Sequence, residues 1–222
     1  MKYSYLEGFD IGIVSVLLGI IMDTTISRKS LLKFWENDKN LVISCYKTVF
    51  LNMLLLGPII YKIAKELIIK NDINNHFAIK EFVPLVIIHN IGYYVLHYIM
   101  HKNNNFRKWH EYHHRFTNPI FPSVGHAVTT EEFLFVYVLP FLVGAVIVNP
   151  NINNFRSSIS LISFLNLTIH CEEFRHIKYP PYIVSPLNHT EHHHRSHESK
   201  ETFSAPLVNM DYVIEQFINK EN

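Results

Sequence analysis

Apolar residues along this chain gather in long blocks, not at every second position, so the pattern predicts helices throughout. Crossing the hydrocarbon core of a bilayer takes about 20 mostly apolar residues in a helix. Leu41–Ile69 meets this, although Lys47 and Lys62 leave Thr48–Tyr61 as its best uncharged part. Phe82–Met100 is a second such block, its polar interruptions being His89, Asn90 and His97. Phe133–Val148 and Ser157–Ile169 are a third and a fourth, with the turn-rich run Asn149-Pro150-Asn151-Ile152-Asn153-Asn154 between them. That run predicts a tight hairpin dipping into or across the bilayer. Ile11–Met22 is also apolar, but Asp10 and Asp23 bound it at only twelve residues. At that length it reads as re-entrant or interfacial, not spanning. With no basic leader beyond Lys2 and no small-residue cleavage site, it is expected to be retained. The pattern therefore predicts an all-α integral membrane bundle of about four spanning or re-entrant helices plus a short N-terminal apolar segment. Residues 1–80 would supply N-terminal membrane segments and 81–222 the functional part of a single compact unit.

Composition supports this reading. Of 222 residues, 48% are hydrophobic, with sixteen Phe and twelve Tyr, and they are concentrated in the blocks above. A formal net charge of +1 leaves no dominant basic face, which argues against nucleic acid as a partner. Cys45 and Cys171 are far apart and in apolar surroundings, so neither a disulfide framework nor a cysteine zinc site is available. A reducing, cytosol-facing active region fits that usage.

Orientation follows from where Lys and Arg collect. The stretch Lys102–Arg115 carries four, residues 28–39 carry four, and the tail from Arg175 onward carries five. Residues 149–155 carry none. The basic stretches are thus expected on the cytosolic side, which places a helical, histidine-rich cap there.

Thirteen of the fifteen histidines fall within His97–His126 and His170–His197. Within them stand His97-x-x-x-His101, His110-x-x-His113-His114 and His189-x-x-His192-His193. Residues three or four apart on a helix share a face, so each set can grip an ion together. Neutral imidazole is the commonest metal ligand, and eight such groups exceed what one ion needs. His194 and His197 extend the last set and are expected behind the ligands or facing substrate, while His126 and His176 have no assigned role. His76 and His89 read as ordinary polar residues near an interface.

Two other readings use the same residues. His110-Glu111-Tyr112-His113-His114 matches H-E-x-x-H, which would make a membrane zinc metalloprotease with Glu111 as general base. A catalytic zinc takes only three protein ligands, so this leaves His113 and the other two sets unexplained. A His-rich metal transporter or metal-binding protein is the second alternative. Transport normally needs ionisable residues at mid-membrane depth, where only His89, Asn90 and Asn166 approach. Two N-x-[ST] sequons, at Asn166 and Asn188, are not expected to carry glycans in a membrane or cytosolic setting.

The three sets, in this order, resemble the boxes H-x-x-x-H, H-x-x-H-H and H-x-x-H-H of the fatty acid hydroxylase and sterol desaturase superfamily, histidine-box di-iron membrane oxygenases. The resemblance runs from about Asn90 to Asp211. It includes Phe106-x-x-Trp109-His110, His113-His114-x-Phe116-x-x-Pro119 and Glu131, where the family has a Glu opening the next helix. His170 matches an isolated histidine that serves as a ligand in relatives, and Asp211 sits where a Trp-Asp pair commonly follows the third box. Asn90, Tyr98, Val128-Thr129 and Thr202-Phe203-Ser204 depart from the usual flanking residues.

The resemblance implies a membrane-bound, O2-dependent oxidoreductase that hydroxylates or desaturates a lipid: a sterol, a fatty acyl chain or a sphingoid base. It implies two iron ions, with zinc as a possible occupant, held by His97, His101, His110, His113, His114, His170, His189, His192 and His193. The catalytic group would be the metal centre itself. Carboxylates behind metal-bound imidazoles orient them, and the candidates are Glu111, Glu131, Glu172, Glu173 and Glu191. The chain has no dinucleotide fingerprint, so the electrons are expected from an external donor such as cytochrome b5 or a reductase. In a eukaryote the location would be the endoplasmic reticulum or a similar membrane, with the site facing the cytosol.

Overall fold

A computed structural model describes residues 4–69, 76–194 and 202–219 of the chain. It is helical, with no strand among the described residues and one isolated antiparallel bridge, Ile183 to Val208. The order is α1 (Ser4–Thr25), α2 (Arg28–Asn37), α3 (Lys39–Phe50), a π-helical segment π1 (Leu51–Leu56) and α4 (Gly57–Leu67). Then come α5 (Ile79–Lys102), α6 (Asn104–His110), α7 (Thr130–Glu132), a second π-helical segment π2 (Phe133–Val138) and α8 (Leu139–Val148). The chain closes with α9 (Ile152–Ile169), α10 (Pro186–His194) and α11 (Met210–Ile218).

Among the described residues, three continuous helical stretches are long and apolar enough to cross a membrane: Lys39–Leu67, Ile79–Lys102 and Thr130–Val148. On α5, Val83, Ile87, Ile91 and Val95 recur every four residues and are exposed, whereas Leu85, Val86, His89, Asn90, Tyr93 and His97 are buried. An exposed apolar stripe of this kind suits a lipid-facing surface. The buried face carries the polar residues inward and ends at the histidines.

The N-terminal segment differs from the sequence expectation. Instead of a twelve-residue piece, α1 is a 22-residue helix, and α1 with α2 forms a bent pair at 88° that reads as a broken or re-entrant span. Asp23 does not end the helix because its carboxylate is buried and satisfied: it accepts from the Tyr46 hydroxyl (2.7 Å) and the Ser123 amide (3.0 Å). Asp10 lies on the exposed face.

A second correction concerns the fourth predicted span. α9 is not among the helices apolar enough to cross, because its inward face carries Asn154, Ser158, Ser163 and Asn166, all buried. The Asn-rich run before it acts as caps. Asn149, in the left-handed region (φ 50°), closes α8, and the Asn151 side chain accepts from Asn154 N at the start of α9. Glu81 of α5 binds both Asn151 N (3.0 Å) and Asn154 Nδ2 (2.7 Å), which fixes α9 against α5.

The C-terminal segment returns across the bundle. Asn90 Oδ1 accepts from the amides of Leu207 and Val208 (both 3.1 Å), and Val184 N donates to Leu207 O (2.8 Å). Asp211 accepts from Phe203 N (2.9 Å) and Ser204 N (3.0 Å). Asn90 and Phe203-Ser204, which depart from the usual pattern, are thus the residues that tie this segment down. The end of α5, α6, the end of α9 and α10 are thereby brought together.

Candidate metal centre

Local structure explains how the histidines are presented. His97 and His101 lie one turn apart at the C-terminal end of α5. The Asn103 side chain caps α6 (from Asn105 N, 2.9 Å), which runs only far enough to deliver His110. His113 and His114 sit in a 3-10 turn, where successive side chains diverge by about 120°. His192 and His193 diverge by about 100° on α10. Each adjacent pair must therefore face two ways.

The nine histidines accordingly form two groups. His97, His101, His110, His114 and His192 make one, and His113, His170, His189 and His193 the other. Within each group the ring nitrogens lie within 4.8 Å of one another. The closest Nε2 pairs are His110–His114 at 2.8 Å, His97–His110 at 2.9 Å and His170–His189 at 2.9 Å. Metal–nitrogen bonds of about 2.0–2.1 Å place neighbouring ligands on one ion at about such separations.

The opposite nitrogens are anchored. Nδ1 meets Phe203 O in His97 (2.9 Å), Ala127 O in His113 (3.3 Å), Asn166 O in His170 (2.7 Å) and Phe116 O in His193 (3.0 Å). A carbonyl oxygen only accepts, so each of these Nδ1 atoms carries the proton and each Nε2 presents a lone pair. His113 and His170 then face each other at 3.3 Å, lone pair to lone pair. A cation between them turns that repulsion into coordination. His192 Nε2 and His193 Nε2, one from each group, are buried with no hydrogen-bond partner among the described residues. The donor set therefore fits metal ions.

Charge agrees. Burial, and then the crowding of neighbouring imidazoles, holds His110, His189, His192 and His193 well below the usual histidine range. Burial pushes His113 down to about 3. All five are neutral at neutral pH, the form that binds a metal.

The carboxylates are arranged differently from the sequence expectation. Glu131 is exposed, and its neighbour Glu132, fully buried, meets His110 Nδ1 at 2.7 Å. One residue is about 100° of helix, and Thr129 sets the rotation. Its hydroxyl caps α7 at Glu132 N (3.2 Å) and donates to Trp109 O (3.1 Å), beside His110. Glu111 has a side chain 65% exposed and lies 3.6 Å from Arg107, so it is not aimed at the histidines as a general base would be. Glu172 pairs with Arg175 (2.7 Å) and lies 3.7 Å from His194. Glu173 accepts from Ser30 (2.8 Å) and Ser27, holding α2, while half-buried Glu191 acts on His194.

The remaining histidines lie outside both groups. His126 is buried with Nε2 3.0 Å from Ser163 Oγ, and His89 packs on the Phe141 ring at 4.1 Å. His76 and His176 are exposed, and His197 lies outside the described residues.

Residues 82–215 match the family model described as fatty acid hydroxylase. No curated protein and no solved structure matches the chain. The matched stretch exceeds half the chain and contains all nine grouped histidines, and on that match the chain belongs to the fatty acid hydroxylase family of the fatty acid hydroxylase and sterol desaturase superfamily.

Proposed function

We propose that this protein is an O2-dependent di-iron enzyme that hydroxylates or desaturates a membrane lipid, either a sterol, a fatty acyl chain or a sphingoid base. Its family is one of oxidoreductases, and its helices are those of a membrane protein. The observation that carries the reading is the face-to-face pairing of His113 and His170, whose Nε2 lone pairs meet at 3.3 Å while both Nδ1 protons are committed to carbonyls.

The five-histidine and four-histidine groups would hold one ion each. Bound iron would supply the activation of O2 that an unactivated C–H bond requires and no side chain provides. The chain's part is to keep the buried imidazoles neutral, to fix the tautomers of His97, His113, His170 and His193, and to exclude water from the four-histidine group. Glu132, 2.7 Å from His110 Nδ1, gives one group a carboxyl partner that would orient the imidazole. Reducing equivalents would come from an external donor such as cytochrome b5 or a reductase. The distribution of Lys and Arg supports a cytosolic site, at the endoplasmic reticulum in a eukaryote, with residues 81–222 as the working unit behind the N-terminal segments of 1–80.

The test is a lipid profile of cells with and without the protein, together with metal analysis of the purified chain. The expected result is iron at two per chain and new hydroxylated or unsaturated lipids, both lost on His113→Ala. Unchanged lipids despite good expression, with metal flux into liposomes, would point to transport and overturn the reading.

A further inference from the structure

The C-terminal segment closes one side of the five-histidine group through Phe203. His97 Nδ1 donates to Phe203 O at 2.9 Å. That bond keeps the proton on Nδ1 and leaves the Nε2 lone pair facing His110 and His101, 2.9 and 3.2 Å away. The Phe203 ring lies against the rings of His97 and His101, with centroids 6.2 and 5.3 Å apart, and the Lys102 ammonium stands 5.6 Å over it. Phe203 thus orients one member of the group and covers half-buried His101.

Asp211 in turn holds Phe203. The amides of Phe203 and Ser204 both donate to Asp211 Oδ2, at 2.9 and 3.0 Å, and the Ser204 hydroxyl donates to the same oxygen at 2.5 Å. The Asp211 amide closes the loop by donating to Ser204 Oγ at 3.0 Å. Hydrogen bonds to an ionised acceptor are about twice as strong as neutral ones. The Ser204 N–H and the Phe203 C=O also belong to one peptide unit, and a peptide unit is planar. Its N–H end is fixed on the carboxylate and its C=O end on the imidazole. A shift of the carboxylate therefore swings the carbonyl that sets His97.

Asp211 is itself fixed in the frame that carries another member of the group. Asn209, which caps α11, donates from Nδ2 to Pro181 O and from its amide to Tyr182 O, both at 2.9 Å, and accepts from Tyr212 N at 3.1 Å. Pro181 and Tyr182 lie on the loop leading into α10, the helix of His192, whose ring centroid is 4.9 Å from that of His97. The carbonyls that orient the four-histidine group come from Ala127, Asn166 and Phe116, apart from these bonds. We propose that Asp211 is a positioning residue for the five-histidine group, acting through the Phe203–Ser204 peptide to set the tautomer and reach of His97. The inference rests on the reading that this group holds an ion.

The test uses the full-length protein in phosphatidylcholine nanodiscs, freed of metal and titrated with cobalt(II), whose visible absorption on imidazole ligands reports each ion bound. Wild type is expected to take up two ions in separable steps, and His101→Ala marks the step of the five-histidine group by weakening it. Asp211→Ala should weaken that same step by about 10–100-fold, the usual effect of removing a group behind a ligand, and leave the other step alone. Asp211→Asn, whose side-chain oxygen still accepts from both amides, should recover most of the affinity. If Asp211→Ala does not fold, Asp211→Glu, which displaces the carboxylate by one methylene, takes its place and should weaken the same step. Unchanged affinity in the folded variant, or equal weakening of both steps, would overturn the proposal. A wild type that takes up no cobalt at the five-histidine group would overturn the metal reading itself, and this inference with it.

Discussion

The five-histidine and four-histidine groups are drawn from the same boxes, yet they are held in different ways. In the four-histidine group every ring is buried, and His113, His170 and His193 are oriented by main-chain carbonyls of Ala127, Asn166 and Phe116. Those carbonyls belong to three separate parts of the chain, so this group is as rigid as the packing around it. In the five-histidine group His101 and His114 are only half-buried, and His110 leans on a carboxylate. One group is positioned by the fold, while the other is open on one side and leans on a side-chain carboxyl. The contrast teaches that equal ligand chemistry does not make equal sites.

Mutations can break or sharpen this contrast. The largest effect is expected from His170→Ala, which leaves three buried imidazoles and should empty the four-histidine group and abolish lipid oxidation. His101→Ala leaves four ligands in its own group and should retain more metal. Equal metal loss in the two variants, measured by elemental analysis, would erase the distinction between a closed and an open group.

Acid probes both groups at once in the metal-free protein. Folding keeps His113 near 3 against about 6.5 for a free imidazole, and holds His110, His189, His192 and His193 well below their usual range. The unfolded chain then binds more protons below pH of about 6.5, so stability is full above that value and falls as pH drops from it towards 3. Thermal unfolding between pH 8 and 4 should show a decline that begins near 6.5, and a flat profile would mean the rings are not held neutral by burial.

Glu132→Gln should weaken metal at the five-histidine group by about 10–100-fold and leave the other group alone. A uniform loss from both groups in a metal titration would instead make Glu132 a structural residue. Gly125→Ala tests the four-histidine side: a Cβ there would lie 2.8 Å from Asn166 O and 2.9 Å from His170 Nδ1. Crowding of that kind should cost about 1–3 kcal/mol, read as a fall in melting temperature. The smallest effect is expected from Glu131→Gln, within about 0.5 kcal/mol and with metal unchanged, since this side chain is exposed.

Helices, apolar blocks and histidine spacing were all legible in the chain, because each depends on residues close together in sequence. The places where that reading failed share one cause. Asp23 looked like a helix boundary until Tyr46 and Ser123, distant in the chain, satisfied its carboxylate. α9 read as a span from its apolar residues, but its Asn and Ser side chains found partners inside the bundle. The resemblance points to Glu131, and only the docking of Thr129 on Trp109 turns its neighbour Glu132 to His110 instead.

By itself, then, the sequence determined the element type, the ligand chemistry and the family. Imidazoles at i, i+3 and i+4 share a helix face whatever surrounds them, and long apolar blocks call for a membrane. Only the tertiary structure decided that His113 and His114 part company, as do His192 and His193, and that nine histidines sort into five and four. The physical reason is directional. Neighbouring side chains on a helix or turn diverge by about 100–120°, and which group each one joins depends on where far-off elements stand when the bundle packs.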